Sequence, residues 1–195
     1  AKEFPDNPEV PQMLLYIAEN VGGEKGKAIA SELAASAKDE QIKAAARGIL
    51  EKLSLSGSKP DIKFTAVDGR EIDLQKMNGK VVLVDFWATW YGPCVAELPN
   101  VKAAYEKLHP KGFEILGISF DNTKGKLTSF IKKENMTWPQ YFDGKGWQND
   151  FGQRFGINSI PAMWLINKKG ELVDMNARAN LEQKVEALLA EGSEG

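Results

Sequence analysis

The stretch Trp87-Ala88-Thr89-Trp90-Tyr91-Gly92-Pro93-Cys94 decides the fold. It is entered by Lys80-Val81-Val82-Leu83-Val84-Asp85-Phe86-Trp87, nearly all apolar and β-branched, which predicts a strand buried on both faces. It is left through a run from about 93 to 108 that predicts a helix. The motif therefore sits where a buried strand ends and a helix begins.

Outward from this junction the pattern alternates. Downstream come an apolar strand over 113–120, a helix over 124–134 and a short helix over 147–155. A hairpin follows, with strands at 162–166 and 171–175 around the turn Asn167-Lys168-Lys169-Gly170, and a helix over 181–189 ends the series. Upstream, 62–67 predicts a strand and Asp68-Gly69-Arg70 a turn; 71–74 then runs into a short helical turn near Gly79. The core order is strand, helix, strand, helix, strand, strand, helix, which predicts an α/β domain with a mixed central sheet flanked by helices on both faces.

The polar break Leu55-Ser56-Gly57-Ser58-Lys59-Pro60 marks a boundary, giving a helical extension over 1–57 and the α/β domain over 58–195. In the extension, Asn7-Pro8-Glu9 predicts a helix start and Gly22-Gly23 its end. Two further helices are expected over 25–36 and 39–53, the last with Ile42, Ala46, Ile49, Leu50 and Leu53 at three- and four-residue spacing. Their alanine-rich faces suit close helix packing, and no repeat persists long enough for a solenoid. The extension reads as a structural appendage or an interaction surface.

Composition narrows the function. Of 195 residues, 25 are Lys or Arg and 27 Asp or Glu, for a net charge of −2, and the basic ones are scattered, so nucleic acid is not an expected partner. No apolar run reaches the roughly 18 residues a membrane span needs. The start Ala1-Lys2-Glu3-Phe4-Pro5 has no signal-peptide core; Ala1 is no initiator, so the chain reads as a mature or trimmed form, with room for a removed signal or anchor. Cys94 is the one cysteine, which excludes an intrachain disulfide and any cysteine-cluster metal site. No cofactor and no metal are expected, and the oligomeric state is left open.

At the strand–helix junction the sequence resembles the thioredoxin superfamily, whose signature there is W-C-G-P-C. Tyr91 stands where the first cysteine belongs. Glu97-Leu98-Pro99 completes a C-x-x-E-x-P pattern typical of the TlpA/ResA branch, and the resemblance extends over roughly 60–190 through the Glu134-to-Pro139 and Asp143-to-Trp147 segments and Ser159-Ile160-Pro161. It implies a thioredoxin-like fold and thiol–disulfide exchange with client proteins or peptides. It also implies an extracytoplasmic, periplasmic or envelope-associated setting, often with a membrane tether.

The physics of that motif is direct. A helix N-terminus offers unpaired N–H groups and partial positive charge, which favour a thiolate. The first cysteine is the exposed nucleophile, and the second, one turn deeper, resolves the mixed disulfide. Cys94 holds the second position. Tyr91, a phenol with an ordinary pKa near 10 and no sulfur, cannot replace the first; its ring is expected over the helix start, screening Cys94. The two-cysteine cycle is incomplete in this chain, and Tyr91 is open to two origins, a substitution in a working enzyme or a natural feature of a redox-silent relative. Functions to weigh are an impaired oxidoreductase, a redox-inactive peptide-binding module, and a monothiol whose Cys94 forms a mixed disulfide or an interchain dimer.

The resemblance also implies supporting roles. Asp85 matches the buried aspartate of thioredoxin, a proton acceptor for the second cysteine, though Gly117 stands where that acid's lysine partner would lie. Glu97 shares or replaces the acid–base role. Trp90, Gly92, Pro93, Ile160 and Pro161 line the substrate groove, with Ile160–Pro161 a cis-proline turn. Trp87 is expected to pack more deeply, and Trp138, Trp147 and Trp164 read as packing residues. His109, the only histidine, is expected to cap the C-terminus of its helix.

Overall fold

The computed structural model describes residues 9–21 and 23–191; the expected cap at Asn7-Pro8 and the helix stop at Gly22 lie outside them. The chain divides into two compact units, Ala1–Ser58 and Lys59–Gly195.

The first unit holds α1 (Glu9–Val21), α2 (Gly23–Ser36) and α3 (Glu40–Leu55). Leu33, Ile42 and Ala46 form its centre, with Leu14, Leu15 and Ile29 packed against them. Small residues set the helix spacing: a Cβ at Gly26 would collide with the Ala18 carbonyl and come within 3.0 Å of Leu53. Asp39 caps α3, its carboxylate accepting from the Gln41 N–H at 2.7 Å.

In the second unit β1 (Lys63–Thr65) and β2 (Glu71–Asp73) pair as a separate antiparallel ribbon. The main sheet has the order β5-β4-β3-β6-β7, built from β3 (Val81–Trp87), β4 (Phe113–Ser119), β5 (Gln140–Tyr141), β6 (Ala162–Ile166) and β7 (Leu172–Asp174). β3 to β5 are mutually parallel, β6 runs antiparallel to β3 and β7 antiparallel to β6, so the sheet is mixed. β3 and β4 are buried at every position, which is why they read as continuous apolar runs.

The helices are α4 (Gly92–Leu108), α5 (Lys124–Lys133), α6 (Asp150–Arg154) and α7 (Leu181–Ala190). α5 lies on the face that Asp85 and Trp87 present, with Trp87 and Phe130 centroids 5.7 Å apart, and Lys102 of α4 reaches Glu134 beside it at 3.8 Å. On the opposite face Phe86 packs against Trp164 at 5.1 Å, and Trp164 against Phe155 at 5.4 Å. His109 is the C-cap of α4, its backbone N–H bonded to the Tyr105 carbonyl.

Two differences from the sequence reading stand out. β5 is only two residues long, too short to leave a periodic signal, yet it adds a parallel strand beyond β4. The expected helix over 147–155 is split: Gly146–Gln148 forms a 3-10 turn, and α6 starts only after Asn149, whose side chain accepts from the Gly152 N–H at 3.0 Å.

Candidate active site

The site grows from the C-terminal end of β3. Parallel β4 ends alongside it, and antiparallel β6 begins there, with Phe86 opposite Ala162. Register alone therefore brings the motif loop, the segment after β4 and the Ile160–Pro161 turn to one edge of the sheet. The Ile160–Pro161 peptide is cis.

The loop between β3 and α4 is held by a buried carboxylate. Asp121 accepts from the Thr89 backbone N–H at 3.2 Å, from the Thr89 hydroxyl at 2.5 Å and from the Ser119 hydroxyl at 2.8 Å. Its own N–H returns a bond to Ser119 Oγ at 3.0 Å, and Asn149 donates to the Ser119 carbonyl at 3.0 Å. Nothing in the motif signalled this anchor.

Tyr91 is the N-cap of α4 and makes no side-chain capping bond. Its carbonyl accepts from the Cys94 and Val95 N–H groups at 3.0 and 3.2 Å. Gly92 and Pro93 are exposed, whereas Cys94, one turn in, is 4% exposed and free. Burial pushes its thiol up to about 11, against a backbone hydrogen bond from Ala88 and with a further push from the Asp85 charge. At neutral pH this sulfur carries its proton.

The Asp85 charge that acts on Cys94 comes from a second buried group. Asp85 is 4% exposed in the middle of β3, and its Oδ1 has no hydrogen-bond partner. Burial, with a smaller push from the Glu97 charge, raises its carboxyl to about 7. Such a group exchanges its proton near neutrality, where an ordinary carboxylate is permanently ionised.

Glu97 is a different kind of acid. Burial raises its pKa, but hydrogen bonds from Arg178 and Asn100 together with the Arg178 charge outweigh that, and the carboxyl ends below its ordinary value. Arg178 Nε donates to Oε2 at 2.7 Å and Asn100 Nδ2 to Oε1 at 2.9 Å. Glu97 thus stays ionised as Asp85 titrates. Arg178 follows β7 in a loop that gives no sequence signal; the bond from the Ala177 N–H to the Met163 carbonyl at 3.0 Å delivers it, Met163 being paired with Asp85.

The exposed rim is aromatic. Trp90 is 51% exposed, with its indole N–H on the Phe120 carbonyl at 3.3 Å, and Tyr91 is 36% exposed with its ring 5.9 Å from that of Trp90. Trp147, read from sequence as a packing residue, is 43% exposed and sits 6.5 Å from Trp90. Its other side packs edge to face on Phe120 at 5.3 Å. Trp87, Trp138 and Trp164 are buried. Among the described residues no group of three or more His, Cys, Asp or Glu could hold a metal ion, and no helix is long and apolar enough to cross a membrane.

Comparison with known proteins agrees with this geometry. The Redoxin family model matches residues 56–189. The thiol-disulfide oxidoreductase ResA of Bacillus thuringiensis (strain Al Hakam) is 30% identical over 139 residues, 71% of this chain and 79% of that protein. The thioredoxin domain of a thiol-disulfide oxidoreductase from Bacteroides vulgatus superposes with a TM-score of 0.62 at 29% identity, covering 69% of this chain and 97% of that one. A thiol:disulfide interchange protein from Bacteroides sp. gives a TM-score of 0.59 at 27% identity, over 72% and 93%. The strand–helix motif and these likenesses converge: the chain belongs to the Redoxin family, as a TlpA/ResA-like member of the thioredoxin superfamily.

Proposed function

We propose that this chain is a thiol–disulfide exchange protein whose centre keeps the resolving thiol and its proton acceptor but lacks the nucleophile. One observation carries the reading: the single cysteine of the chain lies buried one turn inside α4, with Tyr91 at the position from which a first sulfur would attack. Exchange within one chain needs two sulfurs, one to take up the client's disulfide and one to release it. Cys94 can lose its proton to Asp85, but any disulfide it forms must take its second sulfur from another molecule. Clients are thiol- or disulfide-bearing proteins or peptides, and the ResA likeness supports an extracytoplasmic setting. Replacing Tyr91 with cysteine tests this. Tyr91→Cys is expected to reduce insulin disulfides in the presence of dithiothreitol at least tenfold faster than the parent, and equal rates would sink the proposal.

A second reading is favoured by the exposed Trp90, Tyr91 and Trp147 rings, which offer amphipathic contact area beside the cis-proline turn. On this reading the groove holds extended client segments without redox turnover. Cys94→Ser then leaves client capture in a pull-down unchanged; its loss would point to a covalent bond instead.

A further inference from the structure

Asp85, Gly117 and Gln140 form one row across β3, β4 and β5, because Asp85 pairs with Gly117 and Gly117 with Gln140. Side chains at matched positions of neighbouring strands share a face, and Trp87, two residues beyond Asp85, shares it too. Gly117 leaves a gap in this row. The Gln140 side chain fills it: a Cβ at 117 would overlap the amide oxygen and lie 2.6 Å from Nε2.

The orientation of that amide follows from its other neighbour. Trp87 Nε1 lies 2.9 Å from Gln140 Oε1. An indole N–H can only donate, so the amide must offer it the oxygen, and the NH2 group is left for another acceptor. Gln140 Nε2 is buried and has no partner, and Asp85 Oδ1 is buried and has none either. A donor without an acceptor and an acceptor without a donor therefore occupy one enclosed row, separated only by a residue with no side chain. Buried groups of this kind are costly unless they serve each other in some state of the molecule.

We infer that Gln140 is the positioning residue of the Asp85 carboxyl: anchored through its oxygen on Trp87, it extends its NH2 group across the Gly117 gap to receive the carboxylate when Asp85 ionises. A neutral amide fills the place of a charged partner. It steadies the carboxylate without holding it permanently ionised, as Arg178 holds Glu97. The remaining titratable groups around Asp85 are Glu97 and Cys94 on α4, while Arg178 beyond β7 and Asp121 beyond β4 act on Cys94. β4 and β6 offer Gly117 and Met163 opposite Asp85, and neither is charged.

The consequence for proton transfer rests on the proposed role of Asp85, but the contact itself is read without turnover. In the full chain, the Gln140 side-chain 15N–1H resonances and the Asp85 carboxyl 13C resonance are followed against pH. Both are expected to move through one midpoint, and in Asp85→Asn the Gln140 step should vanish. Gln140→Met keeps the length and loses the amide; the Asp85 midpoint is expected to rise by about one pH unit, a tenfold weaker acid. A Gln140 resonance indifferent to Asp85 overturns the inference, as does an unmoved midpoint in Gln140→Met. Should Gln140→Met not fold, the wild-type titration decides alone. A failure of Tyr91→Cys to gain activity leaves these readouts untouched, so the two results are separable.

Discussion

Asp85 and Glu97 are both carboxyl groups shielded by the same unit, yet their environments drive them apart. Glu97 has a guanidinium and an amide on its two oxygens and stays ionised. Asp85 has no cation beside it and is raised from 3.8 to about 7. The sign of the stability effect follows. Between those two values the folded chain holds a proton that the unfolded chain has released, so stability falls as pH rises through the window. The penalty is absent below about 4, complete above about 7, and on the order of 4 kcal/mol. Asp85→Asn removes it. Urea denaturation should find the variant more stable than the parent by about 4 kcal/mol at pH 8, with the difference fading toward pH 4. A difference independent of pH would show that Asp85 is not the buried acid described. Burial of this residue was legible in the sequence, because an aspartate inside an apolar β-branched run has few other places to go. Its separation from Glu97 was not legible, since Arg178 lies 81 residues away in a loop without pattern.

At the scale of elements, the strand–helix junction was readable and its fastening was not. The apolar run of β3 and the helix that follows it are strong local signals, and the cis-proline turn followed from the Ser159-Ile160-Pro161 match. The Asp121 anchor joins residues 32 positions apart through polar side chains, which carry no periodicity. Gln140 escaped notice for a related reason: a two-residue strand is too short to announce a face. Trp147 packs as expected, edge to face on Phe120 at 5.3 Å, but it also leaves 43% of its surface exposed, which its residue type alone did not announce. The anchor makes a definite prediction. Asp121→Ala leaves the buried Ser119 hydroxyl and the half-buried Thr89 donors without their acceptor, which costs about 2–4 kcal/mol. Hydrogen exchange should locate the loss, with the Thr89 amide exchanging at least tenfold faster while the centres of β3 and β4 stay protected. Uniform loss of protection across the sheet would mean that Asp121 supports the whole fold rather than the motif loop.

For the whole molecule the question is whether the redox-type domain needs the helical unit at all. The second unit contains every strand of the described residues, α4 to α7 and every residue assigned to the site. Its core is continuous within itself: Val81 to Trp87, Phe113 to Phe120 and Met163 to Ile166 are almost fully shielded, and the aromatic faces that flank them come from the same unit. A chain segment of about 140 residues is large enough to bury most of its surface unaided. The helical unit has its own small centre around Leu33, Ile42 and Ala46, held by close helix approach at Gly26. Residues 59–195 expressed alone are therefore expected to fold. Their far-UV spectrum should be mixed α/β, and their backbone amide shifts from β3 to α7 should overlay those of the full chain. Urea unfolding of the fragment should remain a single cooperative step. A molten fragment, with dispersed amide signals lost and secondary structure retained, would instead assign the helical unit to the stability of the domain.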